Sequence, residues 1–259
     1  MRVNIRGIEF WVEAPLERDR AYWQLASRGG WEGHTFAALD RHVHGGTVYI
    51  DVGAWIGPTV LYAAARGAEV HAYEPDPVAR QQLEANIDAN PTLADRIRVY
   101  PVALGAERAQ ATIASPLRLG DSMASLVSSG ETVAEEAPVE VVDGASEVTR
   151  PHWQQCGIVK IDIEGGEYAL LPRVTPFLRE FRPPLLLSTH PTRLGMRYWH
   201  LPRPMRVPLW VSTALLGQRV PWRLGFYRWH RPAGVDHWVP VNRTAALARP
   251  RDAEFLLAP

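Results

Sequence analysis

Residues 47–74 read TVYIDVGAWIGPTVLYAAARGAEVHAYE, and this stretch decides the fold. TVYIDVG is an apolar run with the length of a buried strand. PTVLYAAARG reads as a helix, with Pro58 near its first position and Gly67 just past its end. AEVHAYE is a second strand. The same alternation continues outward. PVARQQLEANIDAN (77–90) is a helix and IRVYPVAL (97–104) a third strand, while GIVKIDIEG (157–165), GEYALLPRVTPFLREF (166–181) and PPLLLSTHP (183–191) read strand, helix, strand. Strands alternating with helices predict an α/β fold with a doubly wound, mostly parallel sheet covered on both faces.

The flanks are less regular. Residues 2–13 alternate as a short strand or hairpin. Residues 17–44 are helical with a break at Gly29-Gly30 and an expected buried face of Trp23, Leu25, Phe36, Leu39 and Val43. QATIAS and APVEVV resemble strands around a polar loop within 105–150. HWVPV and EFLLA offer two final strands. One domain is expected: a lead-in over 1–45, a core over 46–191, a Trp- and Arg-rich insertion over 192–231 without clean period, and final strands over 232–259.

Composition narrows the function. The chain has 259 residues, 28 basic and 28 acidic, which gives no case for a nucleic-acid partner. A single cysteine, Cys156, excludes an intramolecular disulfide framework and a cysteine zinc cluster. The N-terminal stretch lacks the apolar core of a signal peptide, and no window reaches the ~20 apolar residues of a membrane span. A soluble, cytoplasmic protein is expected. The charge balance hides an asymmetry: residues 192–259 hold eleven arginines against Asp236, Asp252 and Glu254. Five of the ten tryptophans lie there too. Arginine and tryptophan together suit anionic or sugar-bearing ligands, or peripheral contact with an anionic inner-membrane face. Tryptophans packed on the sheet are the plain alternative.

In a parallel α/β sheet, ligands bind beyond the carboxyl ends of the strands. The first strand ends in Asp51-Val52-Gly53-Ala54-Trp55-Ile56-Gly57, a tight turn into a helix whose free N–H groups suit a carboxylate or hydroxyl. The second ends in Glu74, placed to accept both hydroxyls of a ribose. The dinucleotide pattern G-x-G-x-x-G is absent, because the loop reads G-A-W-I-G. That favours an uncharged nucleoside with an amino-acid tail, S-adenosylmethionine, over a pyrophosphate. A turn with no ligand is the alternative. In VKIDIEGGE (159–167), Lys160 and Asp162 share one strand face, and Glu164 and Glu167 follow. Charges inside a buried strand need partners, so a structural ion pair is one account of Lys160 and a reaction centre the other.

VYIDVGAWIG, YEPDP and VKIDIEGGEYALL together resemble the FkbM-like methyltransferases, a branch of the S-adenosylmethionine-dependent Rossmann-like enzymes. Gly30-Trp31-Glu32, Ser125-Leu126 and His190-Pro191 extend the resemblance over about residues 30–191. It implies that Asp51, Gly53, Ala54 and Gly57 form the cofactor loop. Glu74 binds the ribose, Pro75 and Asp76 shape the next turn, and Val102 and Ala103 lie near the adenine. Asp162 sits beside the reactive methyl. Trp55 stands where the family usually has asparagine, to narrow the site or stack on the ligand. Ser188 stands where glutamate is common. The implied activity is O-methylation of a hydroxyl on a glycan, glycolipid or secondary metabolite. Asp162, Glu164 and His190 are the candidate bases, and His190 has the most suitable unperturbed pKa. Lys160 would position a carboxylate or touch substrate. These groups would accept a divalent metal, but their spacing demands none. A nicotinamide-dependent oxidoreductase and a non-catalytic binding protein of the same fold are the rival classes.

Overall fold

The computed structural model describes residues 1–126, 133–196, 202–217, 219–247 and 252–259. An antiparallel hairpin opens the chain, β1 (Arg2–Ile5) and β2 (Ile8–Trp11), turned at Arg6 and Gly7 with φ of 51° and 85°. Helices α1 (Glu17–Ser27) and α2 (Gly33–His42) follow. Of the expected inner face, Trp23, Phe36, Leu39 and Val43 are buried, but Leu25 is 48% exposed. Then come β3 (Val48–Val52), α3 (Pro58–Ala65), β4 (Glu69–Tyr73), α4 (Pro77–Asp88), α5 (Pro91–Ala94) and β5 (Ile97–Tyr100).

The expected third strand over 97–104 is two strands. Pro101 has no N–H to offer a ladder, and the chain leaves the main sheet there. Its continuation, β6 (Val102–Gly105), pairs parallel with β8 (Glu135–Asp143), and β7 (Ala109–Ser115) completes this side sheet antiparallel to β8. Two short helices, α6 (Gly144–Glu147) and α7 (Pro151–Gln154), lead to β9 (Cys156–Ile161), α8 (Glu167–Phe181) and β10 (Leu185–Thr189). The remainder is α9 (Pro191–Met196), α10 (Arg203–Gly217), α11 (Arg219–Trp222), β11 (Arg228–Pro232), β12 (Trp238–Pro240), α12 (Arg243–Ala246) and β13 (Ala253–Ala258).

The main sheet runs β12-β11-β13-β10-β9-β3-β4-β5. β10, β9, β3, β4 and β5 are parallel, and β13 is inserted antiparallel between β10 and β11. The fold is therefore α/β with a large, mostly parallel sheet. Alternation divides the core. Tyr49, Val70, Ile158 and Leu186 pack on the side of α2 and α3, while Ile50, Val159, Ile161 and Leu187 pack with Leu171 and Phe177 of α8. Asp51, Lys160, Ser188 and Glu254 fall on the first of these faces by the same parity.

A polar column locks the outer end of β4. His71 and His152 stack with ring centroids 4.0 Å apart, and the Tyr73 hydroxyl donates to Glu147 at 2.8 Å with His152 Nε2 also at 2.8 Å. Burial, with His71 and Arg150 nearby, lowers the pKa of His152 to about 4. An unfolded histidine protonates near 6.5, so the unfolded chain binds the extra proton first. Stability should fall as pH drops from about 6.5 towards about 4 and then level off in this contribution. Thermal melts across that window should show the loss in the wild type and a smaller slope in His152→Phe; identical slopes would remove the column from the account.

Candidate active site

The strand ends form one cavity of about 490 Å³, within the ordinary range for small-molecule sites. Its lining includes Gly53, Ala54, Trp55, Glu74, Pro75 and Asp76 from the first two strand ends, and Val102 and Ala103 from β6. Lys160, Asp162, Glu164 and His190 join them from the ends of β9 and β10. Asp51 and Gly57 do not line it.

Gly53 explains how two of these ends meet. Its φ is 88°, and a Cβ there would lie 1.8 Å from the Asp162 carbonyl oxygen. Only glycine permits that approach. The neighbour brought close is thus the end of β9, which places Asp162 over the loop. Gly57, with φ of 91°, starts α3 beneath Leu83.

Glu74 is buried. Its Oε2 accepts the Trp55 N–H at 2.7 Å and its Oε1 the Asp76 N–H at 2.9 Å. Burial nevertheless pushes its pKa up to about 7. Asp76 has a different task. Its Oδ1 caps α4 by accepting from Val78 and Ala79, and its Oδ2 accepts the Gly120 N–H at 2.7 Å. It fastens the loop after β7 over the cavity. Trp55 serves the same roof: its indole N–H donates to the Gly120 carbonyl at 2.9 Å. The ring leans on Tyr22 and Trp31, at 4.6 and 6.1 Å between centroids, and leaves the space between Glu74 and Asp162 open.

Asp51 is fully enclosed. It accepts from Thr59 at 2.5 Å and from Lys160 Nζ at 3.2 Å, its neighbour in the β3–β9 register. Lys160 also donates to the Gly53 carbonyl at 3.1 Å and lies 3.8 Å from Asp162. Burial alone would lower its pKa, but Asp51, Asp162 and Glu32 raise it above the ordinary lysine value, so it stays charged. Removing either partner of the Asp51–Lys160 pair would strand a buried charge at a cost of about 3–5 kcal/mol. The pair is structural, and Lys160 uses its remaining reach on Asp162.

His190 is held by Glu167, which the sequence placed in the charged run after β9 without linking it to His190. Glu167 Oε1 accepts the His190 backbone N–H at 2.6 Å and lies 3.3 Å from Nδ1. The other ring nitrogen sits 3.7 Å from Asp162 and 3.6 Å from Glu164. Burial opposes protonation, but Glu167, Asp162 and Glu164 outweigh it and raise the pKa to about 10. A proton held this firmly makes His190 an imidazolium at neutral pH, unlike the base that its unperturbed pKa suggests. Its carboxylate neighbours arrive from β9 and α8, a convergence that strand spacing does not display. Asp162, Glu164 and His190 do come within 4.8 Å of one another, as a metal set would. Arg193 also holds Glu164 Oε2, at 2.9 and 3.1 Å.

Two more carboxylates complete the far wall. Ser188 lies in register with Glu254 of β13, so Glu254 faces the cavity across from Asp162, paired with His34 of α2. Burial, then repulsion from Asp162, raises the Glu254 pKa to about 7. Glu32, the residue before α2, has a left-handed backbone with φ of 40°, and its carboxylate has no partner among the described residues. Burial and the nearby Glu254 and Asp162 raise its pKa well above normal. Glu254 is reached only through the β10–β13 pairing, which no local pattern announces. From the insertion, none of the described residues of 192–231 lines the cavity; 197–201 and 218 lie outside the described residues.

A model of the methyltransferase FkbM domain matches residues 51–197. No curated protein matches the chain in sequence. Among solved structures, a methyltransferase FkbM from Methylobacillus flagellatus KT is similar at 16% identity and a TM-score of 0.47, over 82% of this chain and 43% of that one. This chain thus spans less than half the length of that protein. A SAM-dependent methyltransferase from Agrobacterium tumefaciens aligns at 14% identity and a TM-score of 0.40, over 99% and 68% of the two chains. A Pyrococcus abyssi tRNA (uracil-54, C5)-methyltransferase in complex with S-adenosyl-L-homocysteine aligns at 11% identity and 0.41, over 100% and 44%.

Proposed function

The chain belongs to the family of the methyltransferase FkbM domain, and from that premise we propose that it methylates a hydroxyl of an uncharged or amine-bearing acceptor with S-adenosylmethionine. One observation carries the reading: Glu74 and Asp162 open onto a single continuous cavity at the strand tips.

The lining fits the cofactor. Val102, Ala103, Leu104 and Ala79 give apolar walls for an adenine, and Glu74 presents a carboxylate to ribose hydroxyls. Acidic groups around Asp162 favour a sulfonium cation. When bound, the cofactor would supply a methyl carbon to the acceptor oxygen. Asp162 would hold and orient the acceptor hydroxyl toward that carbon. Lys160 and His190, both cationic, fix the Asp162 carboxylate from two sides. Glu254 takes the hydroxyl proton, since its pKa near 7 suits exchange at neutral pH. Transfer of the methyl group would leave the hydroxyl proton on Glu254, from which it passes to water.

The acceptor end is lined by Glu32, Asp162, Glu164, Asp252 and Glu254 against the cationic Lys160 and His190, with no arginine among the described lining residues. A phosphate or carboxylate ligand would meet repulsion there; a neutral polyol or an amine would not.

The direct test is methyl-labelled S-adenosylmethionine incubated with protein and host extract, followed by mass analysis. A labelled product bearing an O-methyl group supports the reading; no transfer into any fraction opposes it. Glu74→Ala should weaken S-adenosylhomocysteine binding at least tenfold, as loss of hydrogen bonds to a charged group costs about 1.5–3 kcal/mol. Because the carboxylate form accepts the ribose hydroxyls, wild-type affinity should decline as pH falls below about 7. Calorimetry that finds Glu74→Ala and wild type equal would deny Glu74 this role.

A further inference from the structure

The helix α10 turns its apolar stripe outward. Met205, Pro208, Leu209 and Leu215, with the polar Ser212 among them, follow the i, i+3, i+4, i+7, i+10 spacing of one helix face. All five are exposed, Met205 by 57%, Leu209 by 38% and Leu215 by 43%. A surface helix ordinarily points such a stripe at the core. Nearby, Trp222 of α11 is 40% exposed, with the Arg243 guanidinium 4.2 Å from its ring centroid. A contiguous exposed apolar face with a polar rim marks an interaction surface.

The rim identifies the partner. Between Glu180 and Asp236 the chain has nine arginines and no acidic residue. Arg203 at the start of α10, and Arg219 and Arg223 beyond its end, are exposed. A second copy docking on this face would set arginine against arginine. A leaflet with anionic headgroups complements the charge and takes up the apolar stripe. With 15 residues, α10 is too short to cross a bilayer, and among the described residues no helix is long and apolar enough to do so. It would lie in the surface, with arginine and tryptophan at headgroup depth.

We infer that α10 and α11 form a peripheral docking surface for anionic membranes. The inference goes beyond the methyl-transfer reading and stands without it. It also places the membrane beside the cavity: α10 packs on α9, which follows His190 directly and carries Arg193 onto Glu164. A lipid-borne acceptor with an uncharged or cationic head would arrive next to the acidic end of the cavity.

The test is co-sedimentation of the full chain with phosphatidylcholine vesicles and with mixed phosphatidylcholine–phosphatidylglycerol vesicles. The wild type should pellet with the mixed vesicles alone, and added salt should release it. Met205→Asp and Leu209→Asp, made separately, should each weaken partitioning at least tenfold while circular dichroism and melting temperature stay unchanged. Arg203→Glu combined with Arg219→Glu should erase the preference for the anionic vesicles. The milder Met205→Gln should show an intermediate loss if an aspartate variant does not fold. Failure of the wild type to pellet, or equal pelleting of folded stripe variants, would overturn the inference. So would concentration-dependent dimers that Met205→Asp dissolves, which would assign the face to a second copy.

Discussion

Replacing Asp162 by alanine should leave a folded protein that no longer transfers methyl groups. Among the described residues the carboxylate accepts no hydrogen bond; its neighbours are Lys160 at 3.8 Å and His190 at 3.7 Å, too far for one. It is therefore available to a ligand. The backbone at this position keeps its bond to the Val52 carbonyl at 3.0 Å whatever the side chain, and Lys160 retains Asp51. Loss of an aligning group at the reacting atoms costs roughly 10²-fold or more in rate. Label transfer should become undetectable or nearly so, with S-adenosylhomocysteine affinity changed only a few-fold. Turnover at the wild-type rate would remove Asp162 from the centre.

Glu254→Gln should lower the maximal rate by roughly 10²–10⁴-fold, the usual contribution of a positioned general base. The pH profile separates this from a structural effect. A base must be ionised to accept a proton, so the wild-type rate should climb with pH and level off above about 7. The glutamine variant should lose that inflection while its melting temperature holds. An unchanged inflection in Glu254→Gln would move the proton to another group. His190 is poorly placed to be that group, since three carboxylates hold its proton until about pH 10.

The parallel core was legible because β3, β4 and β9 are short, mostly apolar runs alternating with helices, and buried parallel strands read that way. Glu74 and Asp162 were legible for a related reason: ligands sit beyond strand ends, and each residue closes a strand. Three features lay beyond reach. The side sheet begins at Pro101, and only the missing N–H hints that the ladder stops there. The protonation of His190 depends on Glu167 arriving from α8. Glu254 depends on β13 pairing with β10 in a register that sets it opposite Ser188. Trp55 was read as narrowing the site or stacking on a ligand; its contacts with Tyr22, Trp31 and Gly120 make it part of the wall.

The insertion of β13 between β10 and β11 bears on how the molecule is made. Thr189 and Ala253 are bonded across 64 residues of chain, a loop that must close before β13 can seat. Until β13 seats, β10 keeps an open edge of unpaired amides and carbonyls, the kind of edge that recruits foreign strands. Assembly of the wall that carries Glu254 and protection of the nascent sheet against aggregation thus become the same event.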